Sequence, residues 1–383
     1  MLKRGVAILT VALLLTGCAD DPPTPMAASV APVTSAPVPP QVTPKRSVEP
    51  KPSATPKPVK ALPKAGNPSG RATIPAEAKA VDTSRPDRTV GNGTPASCTS
   101  AAVVKAVARG GVIVFDCGPA PVTITMKATA KVRNTSSTVV LDGGGRVTLS
   151  GGGQRRILYM NTCDEAQTWT TSHCDDQPTP RLTVQNLTLV RGDSTGDKNG
   201  GGAIFARGGR LKVVNSRFTG NRCERTGPDL GGAAVRALDQ SGDKPVYIVS
   251  STFTGGVCSN GSALSSIGVS WTVLNSLFTG NAAVGRGANP ARGGTPGGGS
   301  GGAIYLDGNT FTLTLDGTVI RDNKATEGGG AIFFVSNDRT GTLKIRRSQL
   351  RDNPSAGFET AGLPGIFYLG RGKPSISAST LQK

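Results

Sequence analysis

The chain has 383 residues, with 43 Lys and Arg against 25 Asp and Glu, a formal net charge of +18 and a single histidine. One histidine excludes His-based catalytic triads and two-His metal sites, and the excess of base over acid favours anionic partners. Glycine is abundant at 52 residues while aromatic side chains make up only 4% of the chain, a balance that suits short strands and turns and not packed helices.

Lys3 and Arg4 precede an apolar run from Val6 to Leu15 that ends in Leu15-Thr-Gly-Cys18. A basic start, a short apolar core and small residues before the break predict a secretory signal over residues 1–17, too short for a permanent membrane span. Leu-Thr-Gly-Cys is similar to the bacterial lipobox. That resemblance implies that Cys18 becomes the first mature residue, carries the lipid and anchors the protein outside the cytoplasm to a bacterial membrane. Ala19 stands where an Asp would resemble an inner-membrane retention signal, which directs the expectation to the outer membrane or cell surface. An ordinary signal peptide with an incidental cysteine is the alternative.

From residue 18 to 96 the chain turns to Pro, Ala, Thr, Ser and Lys, as in Ala36-Pro-Val-Pro-Pro40 and Lys51-Pro-Ser-Ala-Thr-Pro-Lys-Pro58. Such a composition cannot bury a core and predicts a disordered tether. The folded domain is expected over 97–383, where 31 basic and 19 acidic side chains leave a net charge of +12. Within it, residues 99–109 form an amphipathic pattern ended by Gly110-Gly111, a helix expected to cap the first coil, and Val112–Asp116 reads as a strand. Thr138–Asp142 and Val147–Gly151 read as early coils.

A repeat then takes over. With Leu211 as position x, apolar residues fall at x and x+2 (Val213), a polar residue at x+4 (Asn215), an apolar one at x+7 (Phe218) and Asn221 at x+10. The same frame fits starts at Leu182, Val246, Trp271, Leu313 and Leu343, spaced 29, 35, 25, 42 and 30 residues apart. Short Gly-Gly strands lie between copies, at Gly201-Gly-Ala-Ile204, Gly231-Gly-Ala-Ala-Val235, Gly301-Gly-Ala-Ile304 and Gly329-Gly-Ala-Ile332, with weaker versions at Gly261-Ser-Ala-Leu264 and Gly365-Ile-Phe-Tyr368. Alternation at x and x+2 marks a strand with one buried face, x+4 a turn, and x+10 a second turn where Asn or Gly tolerates positive φ. Elastic repeats of this kind predict one coil each of a solenoid. The paired motifs Gly-Gly-Ala-Ile and Phe-Thr-Gly-Asn resemble the repeats of polymorphic outer membrane proteins. More broadly, the domain resembles the right-handed parallel β-helix of the pectin lyase-like superfamily, which implies an all-β fold and leaves activity open.

Besides Cys18 there are six cysteines, an even number for an exported chain. Cys223 and Cys258 both stand at x+12 of consecutive coils, within disulfide reach across stacked strands. Cys163 and Cys174 bracket an acidic loop, and Cys98 and Cys117 flank the helix-then-strand segment. Zinc is the alternative, against which stand the lone His173 and the lack of Cys-x-x-Cys spacing.

Two places could carry function. If Ile204, Val235, Leu264, Ile304 and Ile332 point inward, then Phe205, Arg236, Ser265, Tyr305 and Phe333 point outward, and Tyr159 and Phe367 extend the line. Such a row could stack on sugar rings; alternatively, long loops cover it. Those loops all leave one corner, after x+10, and bring Asp193, Asp197, Arg286 and Arg292 into one region. The other acids considered, Asp307, Asp316 and Asp322, are expected to be solvated surface groups and not the paired carboxylates of a glycosidase. The expectation is a surface-displayed module that binds an anionic polysaccharide or envelope polymer without specific nucleic-acid recognition, and without metal or cofactor. A polysaccharide lyase, with Ca2+, or a glycoside hydrolase is the competing reading, although no Asp-rich calcium cluster is apparent. A structural envelope protein is the third.

Overall fold

A computed structural model describes residues 64–383 apart from 168–169 and 289–291. The expected signal peptide, Cys18 and the tether up to residue 63 lie outside the described residues.

The described chain is all-β apart from one helix and a few single turns, and its strands pair in parallel. Strands stack coil upon coil on three faces, an arrangement compatible with a parallel β-helix. The first face holds the strands that begin each repeat, the second those around x+7, and the third the Gly-Gly strands. The repeat frame is the pairing register. Leu182 stands opposite Leu211, Lys212 opposite Tyr247, Val246 opposite Trp271, Trp271 opposite Leu313, and Leu313 opposite Leu343. On the second face Leu189, Phe218, Phe253, Phe278, Ile320 and Leu350 align without a slip. On the third, Leu158, Ile204, Val235, Leu264, Ile304, Ile332 and Ile366 do the same. Apart from the outward pair Lys212 and Tyr247, these aligned residues are the core, because alternation along each strand sends them inward to meet those of the other two faces. Phe218, Phe253 and Phe278 stack at 4.8 and 4.7 Å.

The corners explain the polar residues of the repeat. Left-handed backbone occurs at x+4 (Asn186, Asn215, Ser250, Asn275, Gly317, Arg347) and at x+9 (Arg191, Gly220, Gly255, Gly280, Asp322, Asp352). The second of these falls one residue before the expected x+10. The Asn at x+10 is instead turned into the corner and buried, where it satisfies the backbone of the coil beside it. Asn281 Nδ2 donates to Asn323 Oδ1 at 2.7 Å and Asn323 Nδ2 to Asn353 Oδ1 at 2.9 Å. A second ladder at x+5 runs through Ser216, Ser251, Ser276, Thr318 and Ser348. Each hydroxyl accepts from the backbone N–H of the preceding coil, as Ser251 Oγ does from Ser216 N at 3.1 Å. The Gly-Gly pair divides two tasks. Gly201, Gly232, Gly261, Gly301 and Gly329 take positive φ three residues before the inward aliphatic. At the next position Gly202 has no room, since a Cβ there would lie 1.9 Å from the Arg222 carbonyl oxygen.

The helix α1 (Ser100–Arg109) is N-capped by Thr99, whose side chain accepts from Ala102 N, and buries Val103, Ala106 and Val107 in the core. Three cysteine pairs, Cys98–Cys117, Cys163–Cys174 and Cys223–Cys258, stand at disulfide distance, the last with a Cα separation of 4.8 Å.

Residues 64–96, assigned by composition to the tether, are instead laid along the first face. Arg88–Gly91 is a strand paired with Gly111–Asp116, so the stack begins before residue 97. Ahead of it, residues 64–87 form a strap across successive coils. Asn67 Nδ2 donates to Gly317 O at 2.8 Å, and Asn275 grips Ala72 with two bonds, accepting from its N–H at 2.8 Å and donating to its carbonyl at 3.0 Å. Lys212 Nζ donates to the carbonyls of Glu77 and Lys79, Gln185 exchanges two bonds with Val81, and Thr83 donates to Asp142. Ala72, Ile74 and Ala78 pack on the outward Val214, Tyr247, Val249 and Leu274. A few small apolar residues in a polar stretch suffice because the strands already offer an apolar surface.

Candidate functional site

The outward line on the third face exists as a stack. Tyr159 lies on Phe205 at 5.5 Å, Tyr305 on Phe333 at 4.9 Å, and Phe333 on Phe367 at 5.2 Å. An open groove is not what these side chains make. Phe205, Arg236, Tyr305 and Phe333 are between 1% and 4% exposed; only Tyr159 and Phe367, towards the ends, are half-buried. The cause is the set of loops that leave the corner after x+10 and fold back across the line. Phe358 meets Phe333 and Phe367 edge-on at 6.4 and 4.8 Å. Asn260 Nδ2 donates to the carbonyls of Pro228 and Leu230, holding the 222–231 loop down.

Arg156, which the sequence frame did not single out, fastens the first of these loops. Its side chain donates to the carbonyls of Gly200 and Gly201, pairs with Asp197 at 2.8 Å and lies over the rings of Tyr159 and Phe205. Burial pushes the Asp197 carboxyl up, but the bonds from Arg156 outweigh it and hold the group below the usual carboxylate range. Arg236 lies between the ring of Phe205 and the small Ser265, to which it donates. Burial lowers its pKa to about 10, so it stays charged at neutral pH. Tyr305 donates to Asp307 at 3.2 Å, and burial, with Asp307 and Asp229 nearby, raises its hydroxyl well above the usual range.

Most of the loop-corner residues are engaged in holding the loops. Asp193 faces Arg222 at 3.9 Å, and their backbones bridge in parallel. Arg292 reaches the buried Glu327 at 2.5 Å, which also accepts from Gly287 N. Arg286 is exposed, its backbone paired with Gly297 across a small hairpin. Asp316, expected at the surface, is 3% exposed and takes a two-pronged contact from Arg347 at 2.9 and 2.5 Å. Asp322 pairs with Arg321. These four carboxylates, Asp193, Asp197, Asp316 and Asp322, thus face guanidiniums instead of one another. That is a structural pattern and not a general acid–base pair.

What the corner leaves for a ligand is charge. Arg191, Arg222, Arg225, Arg286 and Arg292 are all exposed along it. Arg191 and Arg222 crowd the same spot, with guanidinium atoms 3.6 and 3.1 Å from where a Cβ on Gly153 would sit.

No family model matches the chain, and neither a curated protein nor a solved structure matches it.

Proposed function

We propose that this protein is an extracytoplasmic binding module for an anionic polysaccharide or envelope polymer, built on a right-handed parallel β-helix of the pectin lyase-like kind. In this reading α1 caps one end of the solenoid, and Cys18 anchors the chain through a lipid. The observation that carries it is the exposed arginine rim at the loop corner, set on a domain whose sequence balance is +12. Three cysteine pairs at disulfide distance suit an oxidising compartment, and no helix among the described residues is long and apolar enough to cross a membrane.

The test is retention of the folded protein on a panel of acidic and neutral glycans, with new reducing or unsaturated ends measured in the same samples. Salt-sensitive retention on acidic glycans without new ends supports binding. New ends would make the protein a lyase or hydrolase, and no retention at all would leave a structural role. Arg222→Gln with Arg286→Gln should weaken retention and flatten its salt dependence. Membrane fractionation of Cys18→Ser checks the anchor: an unreleased protein removes lipidation from the reading.

A further inference from the structure

The strap does more than cover the first face. Between its Glu77–Val81 segment and the strands beneath lies a cleft of about 440 Å³, lined by none of the arginines of the corner. Its floor is built from positions x−1 and x+1, which alternation sends outward: Arg181 and Thr183 on one coil, Arg210 and Lys212 on the next, Tyr247 on the third.

Arg181 and Arg210 are register partners, so two guanidiniums rise from neighbouring strands about 5 Å apart. Neither has a carboxylate within ion-pair distance among the described residues. The Arg210 Nε is buried without any hydrogen-bond partner. Lys212 is held by strap carbonyls, and the acid lining the cleft, Glu77, is engaged by the Tyr247 hydroxyl at 3.0 Å. Three cations thus share a cleft with one carboxylate. Elsewhere in the fold, Arg156, Arg292, Arg321, Arg347 and Arg351 each have an acid. Two adjacent arginines without a carboxylate, Arg181 exposed and Arg210 half-buried, are unfavourable unless a second anion completes them.

We infer that this cleft is a subsite for a single oxyanion, a carboxylate or a phosphate, carried on the polymer of the proposed function. Arg181 and Arg210 would receive it in a forked contact, and the Thr183 hydroxyl and Tyr247 ring would line its sugar. The inference rests on that functional reading for its ligand class, but its residues are separate from the arginine corner.

The experiment titrates the full folded domain with a uronic-acid trisaccharide, with a glycerol phosphate oligomer, and with the methyl ester of the trisaccharide, reading affinity by calorimetry. Binding of the first or the second identifies the oxyanion as carboxylate or phosphate, and the neutral ester should not bind. Arg210→Gln should weaken binding by about tenfold or more. It should not lower the melting temperature, because the wild-type side chain has no partner at Nε to lose. Glu77→Gln should tighten binding, an effect of opposite sign that a purely structural role for the cleft would not produce. Equal affinity of wild type and Arg210→Gln, with the acidic polymer still retained by wild type, overturns the subsite and leaves the functional reading standing. Failure of wild type to bind either oligomer or to be retained on any acidic glycan overturns both.

Discussion

The first and third faces of the solenoid are both covered, by different parts of the chain. The third is sealed by loops that leave each coil at one corner and return within the same repeat. The first is crossed by one strap that precedes every coil it touches. The loops rise and fall with the repeat, so their insertions of varying length cost the register nothing. The strap has no repeat of its own and depends on the side chains that the coils present. The second face is left more open: Thr188, Thr219, Thr254 and Thr279 face outward from its strands, and the start of the strap touches it where Gly66 N donates to Thr252 Oγ1 at 2.8 Å.

Removing a ring from the sealed third face is the most severe way to test this contrast. Phe333→Ala should cost about 3–5 kcal/mol, the same as Phe253→Ala in the inner stack, because both rings are fully enclosed. Thermal and denaturant unfolding compare them, and a cost for Phe333→Ala under about 1 kcal/mol would mean that the loops do not close over the line. The strap should be weaker. Asn275→Gly keeps the left-handed backbone that this corner needs while deleting both bonds to Ala72, a loss of about 1–3 kcal/mol. Limited proteolysis at Arg71 and Lys79 should accelerate with little change in the core.

Acid should loosen the strap as well. Burial pushes Asp142 up, but bonds from Gln185, Asn186, Gly144 and Thr83 outweigh it and hold the carboxyl below its ordinary value. A depressed folded-state pKa contributes stability that is present above the unfolded value, about 4, and is lost as pH falls through the folded one. Strap cleavage should therefore rise below about pH 4, and Asp142→Asn should remove that dependence. The smallest effect belongs to the second face: Thr254→Ala should change stability by no more than about 0.5 kcal/mol.

The sequence carried the coils well because a strand with one buried face must alternate, and the inward aliphatics at x, x+2 and x+7 hold one register from Leu182 to Leu350. The same register places Cys223 beside Cys258. The outward row of the third face was also legible, from Tyr159 to Phe367. What covers it was not, because burial of Tyr305 or Phe333 depends on loops contributed by neighbouring coils. The serine ladder was visible as a hydroxyl at x+5 in five of six repeats; a polar residue in a turn simply did not announce that it was bonded. The strap was hidden for a different reason. Ala72, Ile74 and Ala78 have no periodicity of their own, and their composition matches a tether until the apolar outer side of Val214, Val249 and Leu274 is supplied. Arg156 escaped notice, and Asp316 was expected at the surface, because charged residues become buried only through partners distant in the chain.

The strap also fixes an order of events. Asn67 bonds to Gly317, 250 residues later, and Ala72 to Asn275, 203 residues later. The ribosome delivers residues 64–87 before any coil exists to receive them. The coils can zip together between neighbours as they emerge, and the later strap residues can dock on the first of them, but Asn67 must wait until the repeat at Leu313 is in place. The part of the described chain that is made first is thus the part seated last, and its docking reports that the solenoid has been completed at least that far.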